Sequence, residues 1–311
     1  MKKIVLGASF LALIGAVMTF TSCEKETVLP QNESSGISLV TLRSANNQSI
    51  TMLEFESTEE YDNTIEMLEQ KVERLEDAFV EKYKDLNDED LNAMEEKIGY
   101  NDRQALIDFV KSKQFNNSML FAFLEAEERW LNNEVLDEKT APSNVYVVEE
   151  AEMALLNEKG EVKIAGEIIK ITPNGVVVFS DASVDNVVAY NEGKLDLLTT
   201  ENVSSDFTSI QEKSGSDCHW WKGKTHPKEY DGYRKKVRIH RHFHKYPWKA
   251  TSVTRIGSYK KRGSKWKRYR TKIGVDNQSY FYHKENCSTR TFTSYDPLYK
   301  KKKSKTVSKY Q

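Results

Sequence analysis

Residues 161–179 read EVKIAGEIIKITPNGVVVF, and this stretch decides between an all-helical chain and a mixed one. Val162 and Ile164 form one apolar run, and Ile168 or Ile169 with Ile171 form a second. Ala165-Gly166 joins them, so the segment predicts a β-hairpin. Pro173-Asn174-Gly175 is a further turn signal, with Val176 to Phe179 as the next strand. Asn157-Glu158-Lys159-Gly160 supplies the turn before the first strand.

Upstream the periodicity is helical. Ser57-Thr58-Glu59-Glu60 has capping-box spacing, and Tyr61, Ile65, Leu68, Val72, Leu75 and Phe79 follow at intervals of three and four. This stripe suits packing within the chain, because further helical stretches follow at once. Asn87 to Ile98 predicts a second helix closed by Gly99. Asn101 to Gln104 caps a third running to about Lys113, and Asn117 or Ser118 opens a fourth through Leu131. Short connections imply a compact antiparallel bundle.

Downstream the residues are β-branched, aromatic and basic. Lys235–Tyr246, Thr251–Lys261, Lys265–Val275, Ser279–His283 and Ser288–Tyr295 predict strands, with turns at Arg262-Gly263-Ser264 and Asp276-Asn277-Gln278. Charge divides the same way. Residues 24–213 hold about 17 Lys and Arg against about 41 Asp and Glu, a balance of roughly −24. Residues 214–311 hold about 27 against 6, roughly +21, while the whole chain sums to −1. The expected fold is therefore α+β: an N-terminal acidic helical bundle with a small β-hairpin region, then a basic antiparallel all-β domain. The boundary falls near Ser214-Gly215-Ser216.

The first 22 residues predict a signal peptide: Lys2 and Lys3, then an apolar run from Ile4 to about Met18, shorter than the roughly 20 residues of a membrane span. Phe20-Thr21-Ser22-Cys23 resembles the lipobox of bacterial lipoproteins, with Phe20 where that pattern prefers leucine. The resemblance implies that Cys23 becomes a diacylated N-terminus carrying chains such as palmitate. Glu24-Lys25-Glu26 is similar to the short charged signals that send lipoproteins of Bacteroides-type bacteria to the outer face of the outer membrane. NEKGEVKIAGEIIKITPNG (157–175) and MLEFESTEEY (52–61) likewise resemble segments of uncharacterised predicted lipoproteins of those bacteria, a family that implies no activity. The expected organisation is 1–22 signal peptide, 23–50 polar tether with one strand at most, 51–140 acidic helical domain, 141–213 hairpin region and linker, and 214–311 basic β domain with a Lys-rich tail.

With Cys23 lipidated, Cys218 and Cys287 are expected to form a disulfide in an oxidising compartment. It would close a loop of about 70 residues, worth roughly 4 kcal/mol in the chain-entropy model. The alternative, a Cys218 nucleophile oriented by His219, lacks a recognisable protease context.

Residues 237–248, VRIHRHFHKYPW, pose the functional question. Period-two alternation puts Val237, Ile239 and Phe243 on the core face, with Lys236, Arg238, His240, His242 and His244 on the other, toward solvent or a partner. His240 and His242 stand about 6.6 Å apart along a strand, close enough to share a zinc ion. His244 is about 13 Å from His240, so a third ligand must come from His219, His226 or His283. The surrounding lysines and arginines disfavour a cation and suit a polyanion. YKKRGSKWKRYR (259–270) repeats the mixture and adds Lys260, Arg262, Lys267 and Arg270 to the candidate surface. Accessible polyanions are an anionic glycan, lipopolysaccharide phosphate or extracellular nucleic acid. Lys300 to Lys303 with Lys305 and Lys309 are expected to be a mobile contact to membrane or ligand. The basic face is also suited to neutralisation by the acidic part of its own chain. No His-Glu-x-x-His, Gly-x-Ser-x-Gly or phosphate-binding glycine loop is present. The expected function is thus a non-enzymatic binding module of the cell envelope without a cofactor; the alternative is an envelope hydrolase using histidine, with or without zinc.

Overall fold

The computed structural model describes residues 36–133, 142, 147, 149–173, 175–180, 182–194, 198, 203–206, 234–282 and 289–310, with backbone alone along 204–206, 241–243, 275–282, 289–299, 305 and 307–310. The chain is a mixed α+β protein with six helices and several antiparallel sheets among the described residues. Cys23, Cys218, Cys287, His219, His226 and His283 lie outside those residues, as does the Ser214–Ser216 boundary.

The quoted stretch supplies three strands. β3 (Glu161–Ile164) and β4 (Glu167–Thr172) pair antiparallel, with Ile164 opposite Glu167. Ala165 and Gly166 take φ of 51° and 86°, the two positive values a two-residue hairpin turn needs. β5 (Gly175–Phe179) follows and is buried at every position. Helices cover both faces, so its sequence reads as a continuous apolar run rather than an alternation. Ile169, Ile171, Val176 and Val178 face a core shared with Tyr61, Ile65 and Leu68 of α1 (Thr58–Lys82). Ile168, Val177 and Phe179 face the opposite core, closed by Val184 and Val187 of α6 (Val184–Asn191).

Two further strands come from residues expected to be tether up to 50 and the start of the helical domain beyond it. β1 (Ser38–Arg43) and β2 (Ser49–Phe55) form an antiparallel hairpin, turned by the Ser44 N–H to Gln48 C=O bond of 2.8 Å. β2 then runs parallel to β3 through Glu54 and Phe55, and β6 (Val203–Asp206) completes a six-stranded sheet in the order β1-β2-β3-β4-β5-β6. Residues 38–55 therefore belong to the sheet, because Leu53 and Phe55 enter one core and Ile50 and Met52 the other.

Ser57 accepts from the Glu60 amide at the start of α1, and Glu60 reaches back to the Glu56 amide at 2.9 Å. α2 (Asp88–Ile98) is capped by Asn87 and ended by Gly99 at φ 68°. α3 (Gln104–Ser112), α4 (Met119–Leu131) and the short α5 (Glu150–Met153) follow. The apolar stripe of α1 departs from expectation in its last turns. Leu75 is 48% exposed and Glu76 only 4%, since Glu76 faces a buried arginine.

The basic strands are β7 (Lys235–Lys245), β8 (Ala250–Arg262), β9 (Lys265–Arg268), β10 (Thr271–Tyr282), β11 (Thr289–Lys302) and β12 (Ser304–Tyr310). β8 lies between β12 and β7 and also pairs with β9; β10 pairs with β11; every pairing is antiparallel. Asp276 to Gln278, expected as a turn, continue β10 opposite Thr293 to Tyr295 of β11. Lys300 to Lys302, expected in a mobile tail, end β11. Helices and basic strands fall within one compact unit, Gly36–Gln311. Tyr246 enters the same core as Tyr61, and Trp248 packs against it.

Candidate functional site

Four of the residues that sequence put on a basic surface, Lys260, Arg262, Lys267 and Arg270, meet carboxylates of the helices. At the outer rim, Lys260 pairs with Glu89, Arg262 bridges Glu89 and Glu96 at 3.2 Å each, and Lys267 reaches Glu96 at 2.8 Å. α2 presents Glu89 and Glu96 two turns apart on one face, opposite the hairpin of β8 and β9. Both carboxyls lie below the usual range, Glu89 chiefly through its bond to Lys260 and Glu96 through its bond to Lys267. These groups are about half exposed, so each pair contributes about 0–1 kcal/mol.

Farther in, the pairing becomes obligatory. Arg270 is fully buried; Nε donates to Glu95 at 2.6 Å, and Nη1 to Glu76 at 3.1 Å and to the Lys301 carbonyl at 2.9 Å. Its guanidinium stands over the Phe79 ring, 5.4 Å from the centroid. Burial raises the Glu76 carboxyl even with Arg270 and Lys302 beside it. The lysines at the end of β11 and just beyond it face the same helices: Lys300 meets Glu73 and Asp77, Lys302 meets Glu76 at 3.3 Å, and Lys303 meets Glu95 at 2.8 Å. Opposite charge on α1 and α2 thus orders a segment expected to be mobile.

A third group joins α3, α4 and α5 to the strands. Arg103 binds Glu127 and Glu150, Arg255 binds Glu150, and Arg268 grips Asp102 through two bonds of 2.8 and 2.7 Å. Burial alone would raise Glu127, yet Arg103 above all holds it down to about 2. Sequence reasoning passed over these six residues. The near-cancelling charge of the two halves hinted at pairing, but spacing carries no information on partners separated by 24 to 166 positions.

The histidine strand differs from its expected orientation. His244 is 1% exposed and lies edge-on to Tyr246, with ring centroids 5.9 Å apart. Lys236, Arg238 and His240 are half-buried because aromatic rings cover that face. Arg238 lies over Trp130 of α4 at 4.9 Å, and Lys236 over Trp266 at 5.7 Å. Trp130, Tyr259 and Trp266 form a small core there. Burial, reinforced by Arg238 and Arg255, pushes His240 down to about 3, so it is neutral at ordinary pH. His242 lies opposite Val253 in β8, with its backbone alone described. Among the described residues no group of three or more His, Cys, Asp or Glu is placed to hold a metal ion. No described helix is long and apolar enough to cross a membrane.

Compared with protein-family models, curated proteins and solved structures, the chain matches none of them.

Proposed function

We propose that the chain is a lipid-anchored protein of the cell envelope, held in the outer membrane by acyl chains on Cys23 and akin to lipoproteins of Bacteroides-type bacteria. In this reading it is a non-enzymatic binding module. Its basic β layer is the counter-surface of its own acidic helices, and a polyanion competes for the outer part of that surface. The supporting observation is the gradient of burial across the ion pairs. Arg270 is sealed between Glu76 and Glu95, whereas Lys260, Arg262 and Lys267 are held by carboxylates that remain about half exposed.

An exposed pair costs little to exchange, so a sulfated or phosphorylated glycan, or a lipopolysaccharide phosphate, can displace Glu89 and Glu96 without unfolding the layer. Lys265, on β9 with Lys267, is exposed and adds to the cationic rim. The test uses the lipid-free full chain, Cys23→Ser, and a sulfated polysaccharide. Binding is expected at low salt and its loss near 1 M, where the Debye length falls to about 3 Å. Replacing Lys260, Arg262 and Lys267 together by Gln should remove it. Absence of binding at low salt would reject the polyanion reading and leave the face as an internal counter-surface.

A further inference from the structure

Between β4 and the turn that enters β3, one buried carboxylate joins an amine to a carboxamide. Glu161 on β3 stands directly opposite Lys170 on β4, and it is fully buried. Its Oε1 accepts from Lys170 Nζ at 3.0 Å, and its Oε2 accepts from Asn157 Nδ2 at 2.9 Å. The carbonyl oxygen of the same Asn157 side chain is held by two backbone donors, the Lys159 N–H at 3.0 Å and the Glu161 N–H at 2.9 Å. Lys170 Nζ also donates to the Lys159 carbonyl at 2.7 Å, so the amine lies against this turn. Asn157 and Lys170 are only 2% and 7% exposed. Along β4 the lysine is flanked by Ile168 and Thr172, both buried, and across the sheet it lies opposite Val177 of β5.

We propose that Lys170 and Asn157 form an intramolecular amide cross-link, Nζ to Cγ, with Glu161 as the proton carrier and ammonia as the leaving group. The inference is independent of the polyanion reading, because none of these residues belongs to the basic layer.

The parts of an acyl transfer are gathered in this turn. The amine must be neutral to attack, and burial pulls Lys170 below its ordinary value although Glu161 opposes the shift. Glu161 takes the ammonium proton, and the freed lone pair of Nζ attacks Cγ of Asn157. Nζ approaches Cγ by turning on its flexible stem across the Glu161 carboxylate, to which both nitrogens are already bound. Negative charge then collects on Oδ1, where the Lys159 and Glu161 amides act as an oxyanion hole. Glu161 passes its proton to Nδ2, the Cγ–Nδ2 bond breaks and ammonia departs, while Nζ gives its surplus proton back to the carboxylate. One C–N bond forms and one breaks; nothing is oxidised or reduced, and no co-reactant is needed. Asn191 Nδ2 also donates to Glu161 Oε1, at 2.8 Å, and steadies the carboxylate. That residue is exposed, so its own amide lacks the dry surroundings the transfer needs.

Intact mass and peptide mapping of the full, reduced Cys23→Ser chain test the cross-link. The folded protein should be lighter than its sequence by one ammonia, and proteolysis should release a branched peptide joining Lys170 to Asn157. Lys170→Arg keeps the cation without the nucleophilic amine, and Glu161→Gln keeps the shape without the proton carrier; each should retain the ammonia. Should either variant fail to fold, the unsubstituted chain decides alone, because the branched peptide is read from it directly. A full-mass chain with separate Lys170 and Asn157 peptides after prolonged incubation at neutral pH would overturn the proposal. A branch to Asn191 would do the same, as would an ammonia loss that persists in Lys170→Arg, the mark of Asn157 cyclising on its own backbone.

Discussion

The side chain of Asn92 on α2 pairs with the backbone of Arg270 as a neighbouring strand would: Nδ2 donates to the Arg270 carbonyl at 2.8 Å, and Oδ1 accepts from the Arg270 N–H at 2.8 Å. The two residues are 178 positions apart. Arg270 lies between β9 and β10, beyond the reach of a strand partner, so a helix residue satisfies its peptide groups and fixes where α2 meets the basic layer.

Asn92→Ala should therefore destabilise the chain by about 2–3 kcal/mol, since it leaves a buried amide and a buried carbonyl unpaired. Urea denaturation of the Cys23→Ser chain measures this. A loss below about 0.5 kcal/mol would mean that the bridge does not hold the layer.

Arg270→Gln and Lys267→Gln should behave differently although both remove one basic residue. The first removes the buried guanidinium that Glu76 and Glu95 share and should cost about 3–5 kcal/mol. The second breaks a half-exposed pair and should cost under about 1 kcal/mol. Equal losses would contradict the gradient of burial.

Stability should pass through a maximum on the acidic side of neutrality. Asp102 and Glu127 are buried, yet Arg268 and Arg103 respectively hold them low, Glu127 at about 2. Their folded pKa values lie below the unfolded values near 4, so their stabilisation is present above that range and lost as pH falls toward 2. Glu152 and Glu69 are raised to about 7 and about 10, so their contribution is complete below about pH 4 and lost as pH rises through those values. A scan of Tm against pH should fall on both sides of a maximum near pH 4–6. A monotonic rise to pH 9 would contradict the assignment of Glu69 and Glu152.

Cys218 and Cys287 are expected to be joined. Thiol titration of the unfolded, unreduced Cys23→Ser chain should find no free thiol; two titratable thiols would rule the disulfide out.

What the sequence revealed follows the range of the interactions. The β3–β4 hairpin was legible because Ala165 and Gly166 encode its turn locally. Caps at Ser57 and Asn87 were legible for the same reason, and the fourth helix start was narrowed to Asn117 or Ser118, of which Ser118 is the cap. The α1 stripe misled at Leu75 because Glu76 is drawn inward by Arg270, 194 positions away. Alternation along β7 put Val237 and Ile239 on the core face and His244 on the face toward solvent or a partner, yet Val237 and Ile239 are half-buried and His244 is buried, since nothing in that strand encodes what packs against it. Opposite charge of the two halves was visible as totals; its distribution into an exposed rim and a sealed centre depends on the depth of each pair. α6 went unread because it is one short helix between strands.

The central claim is that the acidic helices occupy the basic layer and that the rim is where a polyanion competes. Its most direct test is the affinity of the Cys23→Ser chain for a sulfated polysaccharide at low salt, with and without Glu89→Gln and Glu96→Gln. Removing the two carboxylates frees Lys260, Arg262 and Lys267 while leaving Arg270 sealed, so binding should tighten by about tenfold or more, on the order of 1.4 kcal/mol. Equal affinity in the two proteins would contradict the account.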